Sequence, residues 1–150
     1  MFSSELQKFL SLNKSKKIVF TNGCFDILHF GHVYYLNEAK KLGDLLIVGL
    51  NSDSSVRTLK GANRPINIES HRKYILENLK CVDFVEIFSE ETPLKLIEFI
   101  KPSVLVKGGD YKPDTTVGYD FVTKNDGRVE ILSFIDGLST TNLIKKISDN

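Results

Sequence analysis

Two histidines stand three residues apart in a glycine-containing run near the start of the chain. The run reads TNGCFDILHFGH over residues 21–32, and the histidines are His29 and His32. It lies between an apolar stretch and residues with helical spacing, so we predict a strand, a glycine turn and the start of a helix. A helix start offers unpaired N–H groups and the positive end of its dipole, and histidines donate hydrogen bonds to oxyanions. The run therefore predicts a phosphate site.

Taken alone, the histidine pair is also compatible with a structural role or with metal binding. Residues three apart share one face of a helix, and such pairs often have structural or surface roles. Zinc would need a third ligand, and the remaining histidine, His71, lies in a separate segment among charged residues. We therefore set zinc aside and predict no metal site built from protein ligands.

Apolar runs alternate with segments of helical spacing along the whole chain. The runs cover residues 17–21, 45–50, 82–88, 104–106 and 129–134. Strands that are apolar throughout and separated by helices indicate a parallel sheet that is covered on both faces. We predict an α/β fold, a Rossmann-like doubly wound sheet of five parallel strands, in a single domain over residues 1–150.

Polar residues follow four of the five predicted strands. These polar segments are residues 21–23, 51–53, 107–110 and 136–141. Because ligands of such sheets bind beyond the carboxyl ends of the strands, the segments predict one shared binding edge.

Three connecting segments of the chain predict local structure. The polar stretch 51–70 is the longest candidate for a mobile loop, within which residues 53–59 could form a short helix. Thr92 and Pro93 predict a helix start, with Thr92 as the N-cap and Pro93 at the first helical position. Ser139 is predicted to cap the last helix.

The composition is that of an ordinary globular protein. The chain has 150 residues, of which 41% are hydrophobic and 26% charged, and its net charge is +1. This balance gives no reason to expect nucleic acid or a membrane as a partner. Cys24 and Cys81 suit neither a disulfide framework nor a metal site, and no long apolar run or signal-peptide pattern is found. We expect a cytoplasmic protein.

Five separated segments carry a resemblance to a known family. They are TNGCFDILHFGH at 21–32, LKG at 59–61, Arg64-Pro65, VKGGDY at 106–111 and GLSTT at 137–141. The first contains the HxGH motif of the nucleotidyltransferase superfamily, and the last matches its Ser-Thr-rich helix start. Over roughly residues 10–147 the chain is similar to the adenylyltransferase domain that makes ADP-heptose, which is often fused behind a sugar kinase.

The resemblance implies transfer of AMP from ATP to a sugar 1-phosphate, expected to be D-glycero-D-manno-heptose 1-phosphate, with release of pyrophosphate. The second pKa of a phosphate monoester is about 6, so this nucleophile is mostly a dianion at neutral pH and needs no general base. The protein must supply positioning and charge neutralisation. Mg²⁺ is expected with ATP, held largely by phosphates and water. We further expect a homodimer, and a separate protein as the kinase of the pathway.

The resemblance also implies roles for individual residues. His29, His32, Lys60 and Ser139 are expected to be catalytic. The expected nucleotide contacts are Asn22, Gly23, Cys24, Phe25, Asp26, Gly31, Asp53, Arg72, Lys107, Gly108, Gly109, Asp110, Thr140 and Thr141. Within this set the hydroxyls and amides of residues 139–141 should serve the β- and γ-phosphates, and Lys60 and Arg72 should be mobile cations.

Simpler roles stay open for several of these side chains. Ser139 could be an N-cap alone, Lys60 a solvated surface lysine and Cys24 a small half-buried residue. Asp53 and Asp110 could be turn caps, and Glu69 could supply the anionic partner that a cation such as Arg72 needs at a helix start.

Other functions also stay open. A cytidylyltransferase of the glycerol-3-phosphate type shares both end motifs, but usually carries an arginine ahead of the Gly-x-Ser-Thr-Thr segment, where this chain has Phe134. That difference and the VKGGDY run favour ATP over CTP. Other small phosphorylated alcohols or a flavin nucleotide are further acceptors. A nucleotide sensor without turnover is disfavoured by the intact motifs, and RNA binding by the lack of a basic stripe.

Overall fold

Five parallel strands form the central sheet. The computed structural model describes residues 1–133 and 135–149. The strands are β1 (Ile18–Gly23), β2 (Leu45–Asn51), β3 (Phe84–Phe88), β4 (Val104–Gly108) and β5 (Arg128–Leu132). They lie in the order β3-β2-β1-β4-β5, and every neighbouring pair is parallel. The order reverses between β1 and β4, which places a crevice beyond the carboxyl ends of these two strands.

Helices cover both faces of the sheet. They are α1 (Ser4–Leu12), α2 (Phe30–Lys40), α3 (Asp53–Lys60), α4 (Glu69–Glu77), α5 (Leu94–Ile100), α6 (Tyr119–Lys124) and α7 (Thr140–Ser148). One core contains Leu36 of α2 and Leu76 of α4, and the other contains Leu6 of α1 and Ile97 of α5. The predicted doubly wound sheet is confirmed. Within the described residues, no helix has the length and apolar character needed to cross a bilayer.

The strands are apolar throughout because alternate side chains enter opposite cores. Val19 and Val48 pack into the core beneath α2 and α4, whereas Phe20 and Ile47 pack into the core beneath α1 and α5. All four side chains are fully buried. A strand with two buried faces has no solvent-facing positions, so its sequence shows a continuous apolar run.

The region between β2 and α4 contains a short helix followed by a loop. α3 covers Asp53–Lys60, which confirms the short helix predicted over 53–59, so the polar stretch 51–70 is not one continuous loop and the connecting loop covers residues 61–68. Ser52 caps α3, because its hydroxyl oxygen accepts a hydrogen bond from the N–H of Ser55. Lys60 therefore stands at the end of a helix.

Of the two predicted helix N-caps, one is observed and the other is not. Ser139 caps α7 as predicted, through a hydrogen bond that its hydroxyl oxygen accepts from the N–H of Asn142. Pro93, not Thr92, occupies the capping position of α5, and none of the side chains that the structure describes caps that helix. Phe134, the predicted end of the fifth strand, lies outside the described residues.

Candidate active site

A cavity of about 640 Å³ opens beyond the carboxyl ends of the strands. All four predicted polar segments contribute to its wall, through Asn22 and Gly23, Asn51, Lys107 and Gly108, and Ser139, Thr140 and Thr141. The prediction that these segments share one edge is confirmed. Cys24, Phe25, Asp26, His29, Gly31, His32 and Lys60 also line this cavity.

The imidazoles of His29 and His32 stack in the cavity wall, with ring centroids 3.8 Å apart. His29 is the N-cap of α2, and its Nδ1 accepts a hydrogen bond of 3.1 Å from the N–H of Gly31. The neutral His29 ring therefore carries its proton on Nε2. Nε2 of His29 and Nδ1 of His32 are buried without a hydrogen-bond partner among the described residues. Each unpaired buried polar atom costs about 1–3 kcal/mol, so both fit a ligand that supplies the missing partner.

Close packing accounts for the glycine between the histidines. A Cβ on Gly31 would lie 3.0 Å from Cε1 and 3.1 Å from Nδ1 of His29, and 3.3 Å from Cβ of Leu138. A side chain at this position would push the His29 ring out of place. The glycine of the HxGH motif thus keeps the imidazole against the start of α2.

Both histidines are held in the neutral form. Burial lowers the pKa of His29. Burial, followed by repulsion from His29, lowers the pKa of His32 to about 4. At neutral pH the ligand-free protein therefore offers uncharged imidazoles, and an anion beside them would raise both pKa values.

His32 gives a direct test of this neutral state. We expect its pKa, followed by NMR, to lie near 4 in the free protein and to rise when pyrophosphate binds. The unfolded chain takes up this proton near the ordinary pKa of 6.5, so the free energy of unfolding should fall as the pH drops from 6.5 towards 4. His32→Gln should lose less stability over that interval. A pKa near 6.5 in the free protein would contradict a neutral, buried His32.

Three cationic side chains, Lys60, Arg64 and Lys107, also line the cavity. Nζ of Lys107 donates a hydrogen bond of 2.8 Å to Oδ1 of Asn22, and burial lowers the pKa of this amine. Such an arrangement attracts polyanions. Arg64 is absent from the predicted site residues, although Arg64-Pro65 is one of the segments that carry the resemblance.

Asp26 ties the turn after β1 to the loop 61–68. Its fully buried carboxylate accepts hydrogen bonds from Nε of Arg64 at 2.8 Å and from the N–H groups of Ile66 at 2.7 Å and Asn67 at 2.9 Å. Burial alone would raise the pKa of Asp26, but these hydrogen bonds outweigh burial and lower it. Asp26 therefore acts as an anchor that presents Arg64 to the cavity.

The hydroxyl groups at the start of α7 are not equally available to a ligand. Thr140 donates its hydroxyl hydrogen to the carbonyl of Asp26 at 2.9 Å, so the expectation that this hydroxyl donates to a phosphate is wrong. Ser139 uses its oxygen as a cap, which leaves its hydrogen available, and Thr141 lines the cavity as well.

Arg72 is a buried support of the site. Only 1% of the residue is exposed, and its guanidinium donates hydrogen bonds to Asp53 Oδ1 and to the carbonyls of Cys24, Asn51 and Asn67, at 2.6 to 2.9 Å. The expectation of a mobile Arg72 is wrong, because these four acceptors hold it. Asp53 serves as its carboxylate partner.

Four predicted contact residues, Asp53, Arg72, Gly109 and Asp110, lie outside the cavity wall. Gly109 instead pairs with β5 through its N–H, which donates to the carbonyl of Leu132 at 3.0 Å. Cys24 lines the cavity, but burial raises the pKa of its thiol. The thiol therefore stays protonated, which agrees with the simpler interpretation of this residue.

Besides Arg64, several other wall residues are absent from the predicted set. Glu91, Thr92 and Pro93 approach the cavity from the end of β3, and Tyr111 lines it just after VKGGDY. Glu91 and Thr92 are polar residues that follow a predicted strand, so the rule that strand ends share one edge applies to them as well.

A family model described as cytidylyltransferase-like matches residues 20–145. The chain belongs to the cytidylyltransferase-like family. It is accordingly an enzyme of the nucleotidyltransferase class, and its HxGH and Ser-Thr-rich segments lie in the cavity described above.

Curated relatives of this cytidylyltransferase-like chain are named "Bifunctional protein HldE". The protein from Geotalea uraniireducens is 61% identical over 134 residues, which cover 89% of this chain and 27% of the relative. The protein from Campylobacter jejuni subsp. doylei is 59% identical over 136 residues, which cover 91% of this chain and 29% of the relative. The chain thus spans less than a third of the length of these relatives.

Two solved structures share the fold of this cytidylyltransferase-like chain. A lipopolysaccharide core biosynthesis protein from Thermoplasma volcanium is 36% identical, with a TM-score of 0.64, over 80% of this chain and 97% of that one. A pantoate–β-alanine ligase from Francisella tularensis has a TM-score of 0.57 at 19% identity, over 97% of this chain and 77% of that one. The second likeness concerns the fold alone.

Proposed function

We propose that this domain transfers AMP from ATP to D-glycero-D-manno-heptose 1-phosphate and releases pyrophosphate. The observation that carries nucleotidyl transfer is the stacked pair His29 and His32, whose buried unpartnered nitrogens lie in a cavity lined by three cations. The choice of ATP and heptose is supported by the resemblance to the ADP-heptose adenylyltransferase domain. It is also supported by the relatives named HldE and by the neighbour named for lipopolysaccharide core biosynthesis.

In the proposed reaction an oxygen of the sugar 1-phosphate forms a bond to the α-phosphorus of ATP. The bond from that phosphorus to the bridging oxygen of the β-phosphate breaks, and pyrophosphate leaves with the electron pair. His29 and His32 bind the reacting phosphate and stabilise the charge that develops on it. Ser139 and Thr141, at the start of α7, donate hydrogen bonds to the leaving phosphates. Lys107 holds the two reactants together.

Two cationic side chains near loop 61–68 suit the phosphates of the two substrates. Asp26 fixes Arg64 through Nε, which leaves the two terminal nitrogens of the guanidinium to bind the acceptor phosphate. Lys60 lines the same cavity at the end of α3 and suits the triphosphate of ATP. Both contacts are proposals that follow from the charge and position of these side chains.

Mg²⁺ enters this proposal as part of the nucleotide substrate. Among the described residues no group of three or more His, Cys, Asp or Glu side chains stands close enough to hold a metal. Asp26, one of the acidic residues in the wall, already accepts three hydrogen bonds. Phosphates and water suit Mg²⁺ as ligands. The negative charge of the triphosphate is then neutralised by Mg²⁺ together with the cationic side chains of this chain.

The supply of the sugar 1-phosphate requires a kinase reaction. The HldE relatives are named bifunctional, and most of their length lies beyond the match to this chain. The expected kinase therefore need not be a separate protein. We propose only that a kinase reaction supplies the sugar 1-phosphate, catalysed by the same polypeptide or by another one. The homodimer stays a prediction.

Release of pyrophosphate tests the proposed function. ATP and CTP should each be offered with heptose 1-phosphate, other sugar 1-phosphates and glycerol 3-phosphate. We expect ATP with heptose 1-phosphate to give the highest kcat/KM. A preference for CTP with glycerol 3-phosphate would support the glycerol-phosphate cytidylyltransferase instead, and no release with any pair would support a nucleotide sensor.

Protection from trypsin tests nucleotide contact near Lys60. The Lys60–Gly61 bond is exposed at the junction of α3 and loop 61–68. A non-hydrolysable ATP analogue should slow cleavage of this bond, because the lysine would be engaged with the triphosphate. Cleavage in the C-terminal segment Lys145–Lys146 serves as the reference site. An unchanged rate at Lys60 would count against closure of this region over the nucleotide.

A further inference from the structure

The segment after β3 forms one end of the cavity. Ser52 donates its N–H to the carbonyl of Phe88 at 2.9 Å, so this segment leaves the sheet beside the end of β2. Glu91 and Thr92 then reach the cavity wall from the β3 edge of the sheet, whereas Ser139 reaches it from the β5 edge. If Ser139 serves the leaving phosphates, the end of the cavity near β3 is left for the acceptor.

Glu91 brings an unpaired carboxylate to a wall that also contains three cationic side chains. Its carboxylate has no hydrogen-bond or ion-pair partner among the described residues, whereas the carboxylate of Asp26 is fully engaged. The three cationic side chains of the wall suit phosphates, and an unpaired carboxylate repels them. A carboxylate has two oxygens that accept hydrogen bonds, which matches two neighbouring hydroxyl groups of a neutral polyol.

Thr92 adds a second hydrogen-bonding group beside Glu91. Thr92 is exposed and lines the cavity, its side chain does not cap α5, and its hydroxyl has no hydrogen-bond partner among the described residues. Pro93 is buried next to it and fixes the backbone at φ −76°. The pair of polar side chains is therefore presented from a backbone that a buried proline restrains.

We infer that Glu91 and Thr92 bind the hydroxyl groups of the acceptor sugar and thereby select a polyhydroxylated acceptor over a short phosphorylated alcohol. The inference rests on the proposed function and identifies the part of the site that recognises the sugar. Glu91 and Thr92 are then specificity-determining residues, because the reacting phosphates lie with the histidines.

Steady-state kinetics of Glu91→Gln and Thr92→Val test the inference. We expect Glu91→Gln to raise the KM for the sugar 1-phosphate about 10- to 100-fold and Thr92→Val about 5-fold, with the KM for ATP changed less than about 2-fold. Glu90→Gln is the matched control, since Glu90 accepts a hydrogen bond from the N–H of Ser89 and lies outside the cavity wall. Calorimetric binding of an ATP analogue confirms that each variant is folded.

Deoxy analogues of the sugar 1-phosphate locate the contact. A sugar 1-phosphate that lacks one hydroxyl should have a higher KM with the wild type. If the missing hydroxyl is the one that Glu91 binds, Glu91→Gln should raise the KM of that analogue little further. Variants that keep a normal acceptor KM, or that raise the ATP KM equally, would overturn the inference while the wild-type activity stands. A wild type that turns over no sugar 1-phosphate would overturn the proposed function, and this inference with it.

Discussion

His29→Ala is expected to lower kcat by about 10²–10³-fold, the scale for loss of one preorganised hydrogen-bond donor. The proton on Nε2 of His29 is fixed by the hydrogen bond that Nδ1 accepts from Gly31, so the imidazole enters the reaction in one orientation. Nε2 of His29 has no hydrogen-bond partner in the part of the chain that the structure describes, so this neutral donor is available to the charge that develops on the phosphate.

His71→Ala is the matched control for this variant, because His71 is exposed on α4 and lies outside the cavity. Its kcat should equal that of the wild type. Initial rates of pyrophosphate release at saturating substrates measure the difference. A His29→Ala enzyme with near-normal kcat would exclude the proposed role for this imidazole.

Arg72→Met is expected to lower the free energy of unfolding by about 3–5 kcal/mol, the range for removing one partner from a buried ion pair. The substitution would leave Asp53 without its cation and the carbonyls of Cys24, Asn51 and Asn67 without these donors. Because these groups belong to the turn after β1, the end of β2 and loop 61–68, activity should fall together with stability.

Denaturant unfolding measures the change, with Arg57→Met as the control. Arg57 is an exposed arginine on α3, so its replacement should alter the free energy of unfolding by less than about 0.5 kcal/mol. Equal stability of the two variants would show that the hydrogen bonds of Arg72 do not support the site.

The sheet and the position of the site could be predicted because both leave local patterns in the sequence. Alternate side chains such as Val19 and Phe20 enter different cores, which makes each strand a continuous apolar run. Polar residues that follow such runs share one edge in a parallel sheet, and this topological rule places Asn22, Lys107 and Ser139 in one cavity without knowledge of distances.

The support of the site could not be predicted because it depends on contacts between distant residues. Arg72 looks like a surface cation at the start of a helix, and its partner carbonyl at Cys24 lies 48 residues away in the chain. Thr140 looks like a free hydroxyl, but it donates to the carbonyl of Asp26, which is 114 residues away. Hydrogen bonds of this kind carry no periodicity, so only the fold shows them.

Attack on the α-phosphorus of ATP is tested most directly by following the radioactive label from differently labelled ATP. With heptose 1-phosphate as acceptor, the label of [α-³²P]ATP should appear in the nucleotide sugar. The label of [γ-³²P]ATP should appear only in pyrophosphate. Transfer of the γ-label to the sugar, or release of pyrophosphate without a labelled nucleotide sugar, would contradict the proposed reaction.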